Sequence, residues 1–98
     1  MERKKLTEAE VNTYLKKLPG WRYEDGKLKK DYEFSDFAET FAFMTRAAII
    51  SEKMDHHPGW SNAYNLLSID LTTHDVGGVT AFDIRWATDV DAPLAIRE

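Results

Sequence analysis

The sequence contains no cysteine, which removes disulfides, thiol nucleophiles and thiolate metal sites together. It also lacks any apolar run long enough to span a bilayer. The charged opening Met1-Glu2-Arg3-Lys4-Lys5 is followed by Leu6-Thr7-Glu8-Ala9-Glu10, not by the apolar stretch of a signal peptide. Positive charge is in deficit: 13 Lys and Arg stand against 17 Asp and Glu, a formal charge of -4. That argues against a general nucleic-acid binder, whose phosphate contacts need a basic face. Gly77-Gly78 lacks the flanking pattern of a phosphate-binding loop, and no serine sits in a nucleophile elbow. There is no internal repeat, low-complexity tract or linker. These absences lead to the expectation of a soluble cytoplasmic protein with no direct nucleic-acid or membrane contact.

What remains fits one domain over residues 1–98. Hydrophobic residues at 43% and charged residues at 31% are ordinary for a globular chain. A chain of this length buries roughly two-thirds of its unfolded surface, enough for a core without metals or disulfides.

Apolar spacing predicts a first helix over Leu6–Leu18, with Thr7 and Glu10 forming a capping box and Pro19-Gly20 ending it. Trp21–Tyr23 and Leu28–Phe34 read as strands around Asp25-Gly26, a turn pair that tolerates positive φ. Ser35 is the expected cap of a long helix from Asp36 to about His56, stopped by Pro58 and Gly59. Trp60–Tyr64 and Leu66–Thr72 read as a second strand pair. In the latter, Leu67, Ile69 and Leu71 alternate with Ser68 and Asp70, so one face is wet. After a loop over His74–Gly78, Thr80 caps a last helix running to about Val90, with Asp83 at its third position. The order α-β-β-α-β-β-α predicts an α+β fold with helices packed on a four-stranded antiparallel sheet.

The long helix carries one apolar stripe of Phe37, Phe41, Met44 and Ala48, and another of Phe43, Ala47 and Ile50. One sheet contact needs a stripe only a little over 100° wide. The surplus predicts that a second chain covers the other face, hence a homo-oligomer.

The chemistry rests on three histidines. Glu52 and His56 stand four apart on the long helix, a spacing that pairs side chains, and the helix C-terminus favours imidazolium. His57 enters the turn at Pro58, and His74 stands in the loop after the fourth strand. Histidine titrates near neutrality and suits general acid–base work, although a lone histidine at a helix end is usually a cap or a satisfied surface group. A zinc shell of three histidines with Glu52 or Asp55 is the weaker reading, because adjacent histidines are poorly disposed to share one ion. Asp83 reads first as a capping residue and second as a group facing a site. Trp60 and Tyr64 are candidates for stacking on a flat heterocycle, but strand aromatics are more often core.

Read together, Glu52, His56-His57-Pro58, Tyr64, His74 and Asp83 resemble the signature of the pterin-4a-carbinolamine dehydratases. Phe43-Met44-Thr45-Arg46, Tyr64-Asn65, Thr73-His74-Asp75-Val76-Gly77-Gly78, Pro19-Gly20-Trp21 and Phe34-Ser35-Asp36-Phe37 extend the likeness over nearly the whole chain. The resemblance implies dehydration of a 4a-hydroxytetrahydropterin to the quinonoid dihydropterin, without metal or organic cofactor. It implies dimers that join their sheets, often paired into tetramers through the long helix. His56, His57 and His74 become the catalytic trio, with His56 and His74 as acid and base and His57 orienting the hydroxyl. Glu52 sets the charge of His56, Asp55 and Thr72, Thr73, His74 and Asp75 lie against the pterin, and Asp83 supports the site. The alternative function is a protein-binding module on the same scaffold, either a transcriptional dimerisation cofactor or an assembly chaperone. Retention of all three histidines favours the enzyme.

Overall fold

A computed structural model describes residues 1–92. Helix α1 spans Glu8–Leu15, strand β1 Arg22–Glu24, strand β2 Lys27–Glu33, helix α2 Phe37–Met54, strand β3 Gly59–Ala63, strand β4 Leu66–Leu71 and helix α3 Ala81–Asp91. A short 3₁₀ turn over His74–Val76 links β4 to α3. The strands form one antiparallel sheet in the order β1-β2-β4-β3, so the α+β order read from the sequence is the one observed. No helix among the described residues is long and apolar enough to cross a membrane.

Element ends differ from expectation where polar groups compete for the backbone. The Thr7–Glu10 capping box forms, but Leu6 lies outside α1 and donates its N–H to the carbonyl of Val79 at 2.8 Å. Beyond Leu15 the chain tightens into turns that end in Leu18, Pro19 and Gly20. The cap of α2 is Asp36, not Ser35. Its carboxylate accepts the Glu39 N–H at 2.8 Å, while Glu39 reaches back to the Ser35 N–H at 2.7 Å. Helix α2 also stops earlier than Pro58 requires, because Asp55 adopts the left-handed conformation at φ 53°. The Asp25-Gly26 turn has φ of 54° and 74°, as a two-residue hairpin needs.

The core lies between the helices and one face of the sheet. Leu28, Leu67, Ile69 and Leu71 meet Val11, Ala47, Ile84, Trp86, Ala87 and Val90. Trp86 is fully buried, and its indole N–H donates to Ser51 Oγ at 2.9 Å. Trp21 meets it edge-on, with centroids 6.5 Å apart, the arrangement that aromatic quadrupoles favour. Of the two apolar stripes of α2, Ala47 is buried and Phe43, Met44 and Ile50 pack against the core. Phe37, Phe41 and Ile49 stay exposed at 47, 55 and 57%.

The far end of α3 is held by charge. Asp91 accepts from Trp21 Nε1 at 2.9 Å, Lys30 Nζ at 2.8 Å and the Tyr32 hydroxyl at 2.7 Å. Gly20, at φ 86°, leaves room for the Lys30 stem that a Cβ would meet at 2.8 Å. Arg46 of α2 caps the last α3 carbonyls, donating to those of Val90, Asp89 and Ala92.

Burial, and then the hydrogen bond and charge of Asp91, hold the Tyr32 phenol above the usual tyrosine range. Folding therefore favours the neutral phenol. That contribution is complete below about pH 10, where an unfolded tyrosine begins to ionise, and is lost as pH rises toward the folded-state value. Stability from urea denaturation is expected to fall above about pH 10, and Tyr32→Phe to flatten that fall while costing about 1–2 kcal/mol at neutral pH.

Candidate active site

The left-handed residue at the end of α2 decides where the adjacent histidines go. Had the helix continued, His56 would stack above Glu52. Instead Asp55 turns the chain, and the His56 N–H closes back on the Ser51 carbonyl at 3.1 Å. His56 swings into the protein, where it is 7% exposed. The expected Glu52–His56 pair does not form. Glu52 Oε2 meets His57 Nε2 at 2.7 Å, so the carboxylate read as setting the charge of His56 sits on its neighbour.

The true partner of His56 is Asp83, with His56 Nε2 2.6 Å from Asp83 Oδ1. Asp83 is fully buried at the first turn of α3. Its second oxygen accepts the Thr80 N–H at 2.9 Å and the Thr73 hydroxyl at 2.8 Å. Because Thr73 spends its proton on Asp83, the 2.8 Å contact between the two threonine hydroxyls is a donation from Thr80. Thr80 Oγ1 in turn accepts the Phe82 N–H at 3.2 Å. As a carboxylate Asp83 offers only acceptors, so across the Oδ1 contact His56 Nε2 is the donor. The capping reading of Asp83 is the one observed: it closes the Thr80–Asp83 capping box, and its other oxygen meets His56 behind the cleft and does not line it. The Phe82 ring lies against the His56 ring, with centroids 5.6 Å apart.

The loop bearing His74 is folded on itself. Thr73 and Gly78 pair as a bridge, and the Gly77 N–H bonds back to the Thr73 and His74 carbonyls. His74 is exposed at the start of this turn. Together with His57 it lines a cleft of about 300 Å³, completed by Lys27, Pro58, Gly59, Asp70 and Thr72. That volume is at the low end for small-ligand sites.

Of the residues singled out from sequence, His57, His74 and Thr72 therefore meet in one cleft. His56, Thr73 and Asp83 form the buried support behind it. Asp55 is exposed as the turning residue, and Asp75 points to Arg3 at 3.3 Å; neither lines the cleft. Trp60 and Tyr64 are not core residues. They are exposed at 36 and 63%, Trp60 on the edge strand β3 and Tyr64 in the turn after it, and neither reaches the histidine cleft. Lys27, Gly59 and Asp70 were missed. The signal for Asp70 was its place on the wet face of β4, which left open what else shared that face.

A slightly larger hollow, about 340 Å³, lies on the open face of the sheet around Arg22, Asp31, Ser61 and Ser68. Arg22 pairs there with Asp31 at 3.3 Å and Ser68 donates to Asp31 at 2.8 Å. No histidine lines it. Among the described residues, no three His, Asp or Glu side chains converge as metal ligands.

The family model for pterin 4 alpha carbinolamine dehydratase matches residues 4–93. A Synechococcus sp. (strain WH7803) protein named for these dehydratases is 51% identical over 87 residues, covering 89% of this chain and 94% of its own. One from Solibacter usitatus is 50% identical over 91 residues, covering 93% and 96%. The crystal structure of a transcriptional coactivator/pterin dehydratase from Brucella melitensis superposes with a TM-score of 0.87 at 42% identity, covering 90% of this chain and 96% of that one. A pterin dehydratase-like protein described as a RuBisCO assembly factor in the alpha-carboxysome shares the fold at TM-score 0.60 and 24% identity, covering 72% and 82%.

Removing the Asp83 carboxylate strips His56 of its buried partner and leaves the Thr80 N–H and Thr73 hydroxyl unanswered. Asp83→Ala is expected to cost about 3–5 kcal/mol, and Asp83→Asn about 1–3 kcal/mol, both read from urea midpoints. An Asp83→Ala cost below 1 kcal/mol would show that the network carries no weight.

Proposed function

The chain belongs to the pterin 4 alpha carbinolamine dehydratase family, and from that membership we propose that it removes water from a 4a-hydroxytetrahydropterin by histidine acid–base catalysis. The observation that carries the reading is the meeting of His57 and His74, from two separate connections, in one cleft of ligand size. The C4a–O bond breaks as the C4a–N5 double bond forms. One proton goes to the departing hydroxyl and one leaves N5, so the histidines end the cycle with as many protons as they began. The product is the quinonoid dihydropterin, and the reaction serves recycling of the tetrahydropterin, in the cytoplasm.

The roles follow exposure. His57 and His74 carry the two transfers, because both line the cleft. Glu52 orients His57 through the 2.7 Å contact between Oε2 and Nε2. His56 is a positioning residue. Held by Asp83, it fixes the path of the chain by which His57 enters the cleft. Thr72 lines the same cleft, which supports its place beside the bound ring. Asp55, Thr73, Asp75 and Asp83 act through the backbone and hydrogen bonds that hold these groups.

The exposed Phe37, Phe41 and Ile49 face of α2 supports association of copies into a dimer or tetramer. It also supports the second reading, a surface for another protein.

With chemically generated carbinolamine, dehydration is expected to accelerate strongly. His57→Ala and His74→Ala should each lower kcat by about 10²–10⁴, with His56→Ala losing less activity and more stability. An unchanged rate in His74→Ala would remove the assignment. The mass in solution at micromolar concentration should be a multiple of the chain mass, and a monomer would overturn the oligomer.

A further inference from the structure

Two charged residues of the cleft take no part in the proton transfers. Lys27 opens β2 immediately after the Asp25-Gly26 turn, and Asp70 stands on the neighbouring strand β4. Their heads are 3.9 Å apart, too far for a hydrogen bond. Among the described residues neither head makes one with any other group, whereas Arg22, Lys30, Asp31 and Asp91 all do. Both line the same cleft as His57 and His74.

The fold keeps space for this arrangement. Gly59 is the cross-strand partner of Asp70, and a Cβ there would stand 2.9 Å from Asp70 Oδ1. Any side chain at Gly59 would displace the carboxylate. On the other side, the Thr72 hydroxyl donates to the Gly26 carbonyl at 3.4 Å and ties the hairpin turn before Lys27 to the cleft.

We infer that Asp70 and Lys27 form the recognition edge for the pyrimidine half of the pterin. This rests on the dehydratase reading and adds its specificity element. A 2-amino-4-oxopyrimidine presents two donors and one acceptor in a row: the amino group, the ring N3–H and the oxo oxygen. A carboxylate takes two parallel donors bidentately, and an ammonium beside it donates to the oxo group. Asp70 with Lys27 presents the complementary row, acceptor, acceptor and donor. Held by that edge, the ring presents its reacting C4a and N5 to His57 and His74.

The test compares the wild-type oligomer with Asp70→Asn and Lys27→Met, both partly exposed positions that spare the core. Affinity for a non-reacting 7,8-dihydropterin is measured by calorimetry, and turnover is measured on carbinolamines bearing either a 6-methyl or a 6-dihydroxypropyl group. Asp70→Asn is expected to weaken dihydropterin binding about ten- to a hundredfold. KM should rise by the same factor for both substrates, with kcat within about twofold. Equal binding by wild type and Asp70→Asn overturns the inference, as does a loss confined to the dihydroxypropyl substrate, which would assign the pair to the side chain. Failure of the wild type to bind dihydropterin overturns it too. A wild type that turns over neither substrate, yet loses dihydropterin affinity on Asp70→Asn, removes the dehydratase reading and leaves the recognition edge standing.

Discussion

A buried carboxylate joins the end of α2, the loop after β4 and the start of α3. Asp83 accepts from His56 after α2, from Thr73 after β4 and from Thr80 at the start of its own helix. A carboxylate removed from water needs several donors to offset its desolvation, and here each donor comes from a segment that must be placed for the cleft to exist. His56 brings His57 with it, and Thr73 brings Thr72 and His74. Local capping and site assembly thus meet in one carboxylate, whose Oδ2 caps α3 and holds Thr73 while Oδ1 holds His56.

The opposite end of α3 is fixed by complementary means. Arg46 answers the helix's orphan carbonyls, and Asp91 gathers Trp21, Lys30 and Tyr32 from the β1–β2 side. With Trp86 clamped to Ser51 between the two ends, α3 has little freedom to slide along α2. The face of α2 turned away from this packing is the exposed one, so internal rigidity and the apolar outer surface belong to the same helix.

Much of this was legible in the sequence, and the failures share one physical origin. Element order, both capping boxes and the Asp25-Gly26 turn followed from spacing and φ preferences, which are local. Glu52 was given the wrong histidine because the four-residue rule assumes a continuing helix, and Asp55 breaks it without the glycine that usually signals such a break. Asp36 displaced Ser35 because Glu39 closes on it from three residues downstream. Lys27, Gly59 and Asp70 were invisible as a group: they come from three strands, and only the register brings them to one cleft. The likeness to the dehydratase signature located the histidines but said nothing of which would be buried.

The turn at Asp55 also limits how this region tolerates change in length. Between the last helical residue and Pro58 lie three positions, one to reverse the chain, one to anchor it inside and one to enter the cleft. A single residue inserted there would shift the register that sends one imidazole inward and the other into the cleft, with every original side chain still present. The spacing, more than any one side chain in it, is what makes two chemically identical residues do different things.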